Sequence, residues 1–180
     1  MLEIPAPTDA LAQWNSLSPD DAALAILPCC GSRAWAAALA ARRPFANVHD
    51  LATASDEIWR ALPEAAWHEA FLSHPRIGEQ HAHAATAQSL AWSSSEQRAA
   101  SSPAAPPNDP VKLALAERNR QYEERFGRSF IVCAAGKSAT EILAILDRRM
   151  ASSPADELLE AAEQQRQITQ LRLRRWLGLT

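Results

Sequence analysis

The sequence predicts an all-α fold, a single-domain multi-helix bundle of roughly seven to nine helices with one short extended connector. Three observations carry that expectation. Apolar residues recur at helical spacing in one segment after another. Capping residues and first-turn prolines precede those segments. The one β-prone run, Phe130-Ile131-Val132-Cys133-Ala134, has no evident strand to pair with and is read as a buried connector. A chain of 180 residues, 47% hydrophobic and 22% charged, is long enough to bury one core and is not disordered in composition.

The elements follow in order. Ser18-Pro19-Asp20-Asp21 supplies an N-cap, a proline at N1 and two acids where the helix dipole favours them. The apolar run Ala22 to Leu27 comes next, closed by Pro28. Ser32 caps a second helix, Arg33 to Arg43, which Pro44 ends. A third helix spans His49 to Leu62, with Leu51, Ile58 and Leu62 on one face. Pro63 opens a fourth over Glu64 to Ser73. Because Pro75 biases its predecessor away from helical dihedrals, His74 stands where that helix stops.

Ser93-Ser94-Ser95-Glu96 reads as the start of a short helix, with Ser93 and Glu96 at capping-box spacing. The Pro/Ser/Ala-rich stretch at about 101–108 reads as a flexible loop. Asp109-Pro110 then begins a long helix to Phe126, with Val111, Leu115, Tyr122 and Phe126 on one stripe and Gly127 as the cap. Ser138 and Glu141 form a capping box for a helix to Met150. Ser153-Pro154 opens the last helix, which runs to about Leu177.

Composition narrows the function. A net charge of −3 provides no strong field for nucleic acid or an anionic membrane, and Arg172, Arg174 and Arg175 are too small a basic cluster for a nucleic-acid footprint. No stretch approaches the roughly 20 apolar residues of a membrane span, and the first residues lack the basic-then-apolar pattern of a secretory signal. Cys29, Cys30 and Cys133 form no CxxC, an odd count suits neither a disulfide scaffold nor a zinc site, and the adjacent Cys29 and Cys30 read as small apolar residues in a reducing compartment. A cytoplasmic enzyme is the expectation. No metal is expected, since His74, His81 and His83 with Glu79 lack a supporting ligand pattern. Gly136-Lys137-Ser138 has the end of a phosphate loop, but Ile131 stands where the first glycine is required.

Three polar places remain. His74-Pro75-Arg76-Ile77-Gly78 is a rigid turn presenting an imidazole, which titrates near neutrality and suits proton transfer, although the local sequence by itself favours His74 as a cap on the last helical carbonyls. Ser93 and Glu96 read as a helix cap, a helix start is also an anion site, and in a functional reading Glu96 could orient a histidine while Gln97 offers a donor and an acceptor to an amide-like ring. In the last helix Ile168, Arg172 and Trp176 follow at i, i+4 and i+8, which turns Arg172 inward, with Arg174 about 200° away and Arg175 near the edge of the arc. An inward guanidinium needs an anion, either a substrate carboxylate or a carboxylate of the protein.

Together these segments resemble the OHCU (2-oxo-4-hydroxy-4-carboxy-5-ureidoimidazoline) decarboxylase family. The resemblance runs from about Phe45 to Leu173. It rests on Ala70-Phe71, His74-Pro75-Arg76-Ile77-Gly78, Ser93 through Gln97, Asn119, Tyr122, Phe126-Gly127, Phe130-Ile131, Gly136-Lys137-Ser138, Glu141-Ile142-Leu143 and Leu171-Arg172-Leu173. It implies an all-α enzyme, commonly a homodimer, that uses no metal or organic cofactor and converts its ureidoimidazoline substrate to (S)-allantoin and CO2. His74 resembles the catalytic proton donor, with Glu96 and Arg172 beside it in the catalytic set. Pro75, Ser93, Glu96, Gln97 and Arg172 match substrate-binding positions. Ile131, Val132, Cys133, Ala134 and Ala135 match the segment whose backbone meets the ring, and Ala135 stands where some relatives carry arginine or threonine. The proline-rich stretch 103–107 departs from the pattern as extra loop length. Two rival readings are a non-enzymatic helical interaction module built on the six Trp residues, and a hydrolase of ureide metabolism. The hydrolase would need an activated water, and neither a convincing metal set nor a nucleophile triad is visible to supply one.

Overall fold

The computed structural model describes residues 7–77, 85–98 and 109–179. The expected loop at about 101–108, together with Gly78, Glu79, His81 and His83, lies outside the described residues. Among those described there are nine α-helices and no strand: α1 (Pro7–Ser16), α2 (Pro19–Cys30), α3 (Arg33–Ala41), α4 (Val48–Ala61), α5 (Glu64–Phe71), α6 (Ala87–Glu96), α7 (Pro110–Phe126), α8 (Ala139–Arg149) and α9 (Pro154–Trp176). The all-α expectation is met, and the ends of α3, α4, α5, α7, α8 and α9 fall within about two residues of those read from the sequence. None of the described helices is long and apolar enough to cross a membrane.

The chain forms two compact units, Met1–Ala70 with Arg166–Thr180, and Phe71–Gln165, so that α9 contributes to both. In the first unit α2, α3 and α4 pack in sequence around Ile26, Trp35, Leu39, Leu51 and Ile58. Helix α1 was not expected from the sequence, although Leu11 and Trp14 stand three apart and are both buried. The Trp14 indole donates to the Ala22 carbonyl at 2.9 Å, and Arg43 donates to the Trp14 and Leu17 carbonyls at the end of α1. The last part of α9 lies on α4 through Arg166 to Asp56 at 2.8 Å and Gln170 to the Ala52 carbonyl at 3.0 Å.

The expected stop at Pro28 is corrected. Helix α2 continues through Pro28 to Cys30 and ends at Gly31, whose φ of 87° permits a left-handed cap that donates to the Leu27 carbonyl at 2.8 Å. A proline removes one helical bond, but Cys29 and Cys30 are fully buried and carry the helix through its last turn. All three cysteines are buried thiols, none of them in a disulfide. Burial pushes the Cys30 thiol up to about 12.

In the second unit the core joins Leu115 and Tyr122 of α7, Phe130, Val132 and Ala134 of the connector, and Ile142 and Leu146 of α8. Val111 and Phe126 pack against it, so the predicted α7 stripe faces inward. Asp109 caps α7 by accepting from the Val111 N–H at 2.8 Å, and Gly127 closes it with φ 68°. The Ser138–Glu141 capping box of α8 is present in both directions. Beneath the connector lies a buried network. Arg149 pairs with Glu157, Glu157 also accepts from the Tyr122 hydroxyl, and Arg149 donates to the Ile131 carbonyl at 2.7 Å. Burial, then the Glu157 carboxylate, push the Tyr122 phenol above its usual range.

Candidate active site

The second unit holds ten of the expected site residues: His74, Pro75, Ser93, Glu96, Gln97 and the connector 131–135. Arg172 belongs to the first unit.

His74 follows the end of α5, where its N–H donates to the Phe71 carbonyl at 3.2 Å. It is half-buried, between buried Ser73 and buried Pro75. The next two residues tie the turn to the rest of the unit. Arg76 meets Glu123 of α7 with both ends of its fork, Nε to Oε1 at 2.6 Å and Nη2 to Oε2 at 2.5 Å. Ile77 packs against the α7–α8 core. The imidazole is therefore carried on a short stretch fixed on both sides, by a helix end and by a two-point ion pair.

The reading of Ser93 as the start of a helix is corrected. Helix α6 begins at Ala87, and Thr86 caps it by accepting from the Ser89 N–H at 3.1 Å. Ser93 and Glu96 lie in its last turn, and Gln97 is the C-cap, donating its N–H to the Ser93 carbonyl at 2.9 Å. The helix dipole at that end is negative, so an anion site built from free helical N–H groups is not available there. What survives is the spacing: residues three and four apart share a face of a helix. Ser93 and Gln97 are buried and Glu96 half-buried, so one face of α6 turns Ser, Glu and Gln inward where apolar residues would be usual.

The connector is buried from Phe130 to Ala134, and Ala135 is exposed. Side chains hold it at three points. Arg149 takes the Ile131 carbonyl, Gln164 of α9 accepts from the Cys133 N–H at 2.9 Å, and the Lys137 ammonium donates to the Cys133 carbonyl at 2.7 Å. A loop pinned in this way presents its remaining backbone groups in fixed directions. Gln164 and Arg149 did not emerge from sequence reasoning, because their bonds to the connector span 31 and 18 residues and leave no local pattern; Lys137, four residues from Cys133, stood out in the sequence only within Gly136-Lys137-Ser138 and not as a clamp on the connector.

Arg172 is fully buried, whereas Arg174 is exposed and Arg175 half-buried. The periodicity thus picked the inward arginine. Its Nη1 donates to the Pro28 carbonyl near the end of α2 at 3.4 Å, and its charge favours the ionised form of the neighbouring Cys30 thiol. Among the described residues no group of three or more His, Cys, Asp or Glu side chains is placed to hold a metal ion.

The sequence profile of the OHCU decarboxylase family matches residues 15–174. The uric acid degradation bifunctional protein TTL of Arabidopsis thaliana is 34% identical over 145 residues, which cover 81% of this chain and 44% of that protein, so the chain spans under half of that relative's length. The 2-oxo-4-hydroxy-4-carboxy-5-ureidoimidazoline decarboxylase of Amia calva is 36% identical over 140 residues, 77% of each protein. A crystal structure of OHCU decarboxylase in the presence of (S)-allantoin superposes with a TM-score of 0.72 at 30% identity, covering 84% of this chain and 96% of that one.

Proposed function

This chain belongs to the OHCU decarboxylase family, and from that premise we propose that it releases CO2 from 2-oxo-4-hydroxy-4-carboxy-5-ureidoimidazoline and yields (S)-allantoin in urate breakdown. The observation that carries the proposal is the family match over residues 15–174, which takes in every candidate site residue. A match running through both compact units also supports treating residues 1–180 as one functional domain.

The chemistry is decarboxylation with the substrate's own ring as the electron sink. The bond between ring carbon and carboxylate breaks, CO2 leaves, and the electron pair passes into the imidazoline ring. The ring nitrogen that receives the pair is protonated, a proton is delivered to one face of the adjacent ureido-bearing carbon, and the hydroxyl on the carbon that lost CO2 gives up its proton to become the product's carbonyl. His74 is assigned that proton transfer, since a positioned imidazole is matched to neutral pH. Glu96 orients the imidazole. Ser93, Pro75 and Gln97 line the ring, and Gln97 supplies both a donor and an acceptor. The backbone of Ile131, Val132, Cys133, Ala134 and Ala135 meets the ring edge through the groups left over once Gln164 accepts from the Cys133 N–H and Lys137 donates to the Cys133 carbonyl, a role supported by the fixed course those two bonds give the segment. Arg172 takes the substrate's anionic group, as the resemblance implies.

A homodimer in the cytoplasm completes the proposal; three buried cysteines outside any disulfide suit a reducing compartment. The test is CO2 release from freshly generated substrate with a chelator present. Enzyme-dependent release that chelation leaves unchanged supports the reading. Absence of release contradicts it, and release abolished by chelator contradicts its cofactor-free form.

A further inference from the structure

We infer that Glu123 is a positioning residue for the reaction, acting through Arg76 to set the place of the His74 imidazole; the inference rests on the proton-transfer reading of His74. The motif His74-Pro75-Arg76-Ile77 contains two residues to which the chemistry assigns nothing, Arg76 and Ile77. The structure accounts for both as anchors. Arg76 forks onto Glu123 with Nε–Oε1 at 2.6 Å and Nη2–Oε2 at 2.5 Å, and Ile77 packs against the α7–α8 core.

The clamp is placed on a rigid element. Glu123 follows Tyr122, which is fully buried and donates its hydroxyl to buried Glu157. Glu123 is therefore fixed at its backbone, and the planar guanidinium admits one in-plane geometry against its two oxygens. On the other side His74 is held by its N–H on the Phe71 carbonyl, and Pro75 limits the His74 backbone to extended dihedrals. Fixing Arg76 then leaves the intervening His74-Pro75 little freedom to swing. The ion pair itself is half-exposed, with side chains 46% and 24% accessible, so its worth to overall stability is small. A two-point pair that contributes little stability yet sits two residues from the imidazole has its consequence in geometry. A misplacement of about 1 Å can cost about 100-fold in rate.

The experiment compares wild type with Glu123→Gln, Glu123→Arg, Arg76→Glu, the charge-swapped double variant Arg76→Glu/Glu123→Arg, and His74→Ala. Three quantities are read: kcat and KM, the enantiomeric excess of the allantoin formed, and Tm. The expected result for Glu123→Gln is a fall in kcat of about tenfold to 100-fold, with KM changed less than kcat. Enantiomeric excess falls with it, because a loose imidazole no longer protonates one face before the product forms in solution. Tm should move by no more than about 4 °C. The charge swap should recover a substantial part of both kcat and enantiomeric excess relative to either single reversal. A merely structural pair would lower Tm and the active fraction while leaving the product's handedness intact. Wild-type kcat and handedness in Glu123→Gln, with His74→Ala impaired, overturn the positioning role alone. Full activity in His74→Ala overturns the proton-transfer reading on which it rests.

Discussion

At the scale of single residues, the imidazole and the inward arginine were legible because each follows from a local rule. Pro75 forces its predecessor out of the helix, and a 100° step per residue separates Arg172 from Arg174. Replacing His74 by Ala should lower kcat by about 10²–10⁴ with Tm little changed, as measured by steady-state turnover and thermal unfolding. Arg172→Lys keeps the charge but loses the planar fork, so KM should rise while the protein stays folded by circular dichroism. A variant with unchanged KM would assign Arg172 to anchoring α2 through the Pro28 carbonyl. Glu123 could not have been found this way. Its partner Arg76 lies 47 residues earlier, and nothing in the intervening sequence relates the two. The same is true of Tyr122 and Glu157, 35 residues apart.

At the scale of elements, caps decided where helices start and stop, and one cap was misread. Ser-x-x-Glu is the pattern of a capping box, but it also arises within a helix, where residues three apart share a face. Thr86 captures the start of α6 seven residues before Ser93, so the same Ser, Glu and Gln stand at the C-terminal end. Their common direction was predictable; their place on the helix was not. Where caps were read correctly, they give sharp expectations. Asp109→Ala should cost about 1 kcal/mol, the usual worth of an N-cap, measured by urea unfolding. Gly127→Ala should also cost about 1 kcal/mol, because φ of 68° is left-handed although the added Cβ meets no atom within 4 Å. A larger penalty follows from the pair that joins α8 and α9. Arg149 and Glu157 are 4% and 0% exposed, so Glu157→Leu leaves a buried cation uncompensated and should cost about 3–5 kcal/mol.

At the scale of the whole molecule, buried ionisable groups set the response to pH. An unfolded cysteine ionises near 9, whereas burial holds the Cys30 proton to about 12. Between those values the native state binds more protons than the unfolded state. The contribution is therefore complete below pH 9 and is lost as pH rises, by up to about 1.4 kcal/mol per pH unit. The Tyr122 phenol, also raised by burial, acts in the same direction from about pH 10. Urea-unfolding free energies should decline across this window, with a shallower slope in Cys30→Ala; a flat or rising profile would contradict the assignment. The all-α architecture followed from periodicity and caps, and the candidate site rests on the family resemblance around His74, whereas the clamps on the connector and on Arg76 depend on tertiary packing.

The central claim is that this chain decarboxylates its ureidoimidazoline with a proton delivered to one face by His74. Circular dichroism of the allantoin formed from freshly generated substrate tests it most directly, with wild type and His74→Ala run side by side. The account predicts optically active (S)-allantoin from wild type and racemic product, at the slow uncatalysed rate, from His74→Ala. Racemic product from wild type, or (S)-allantoin formed at wild-type rate by His74→Ala, would contradict it.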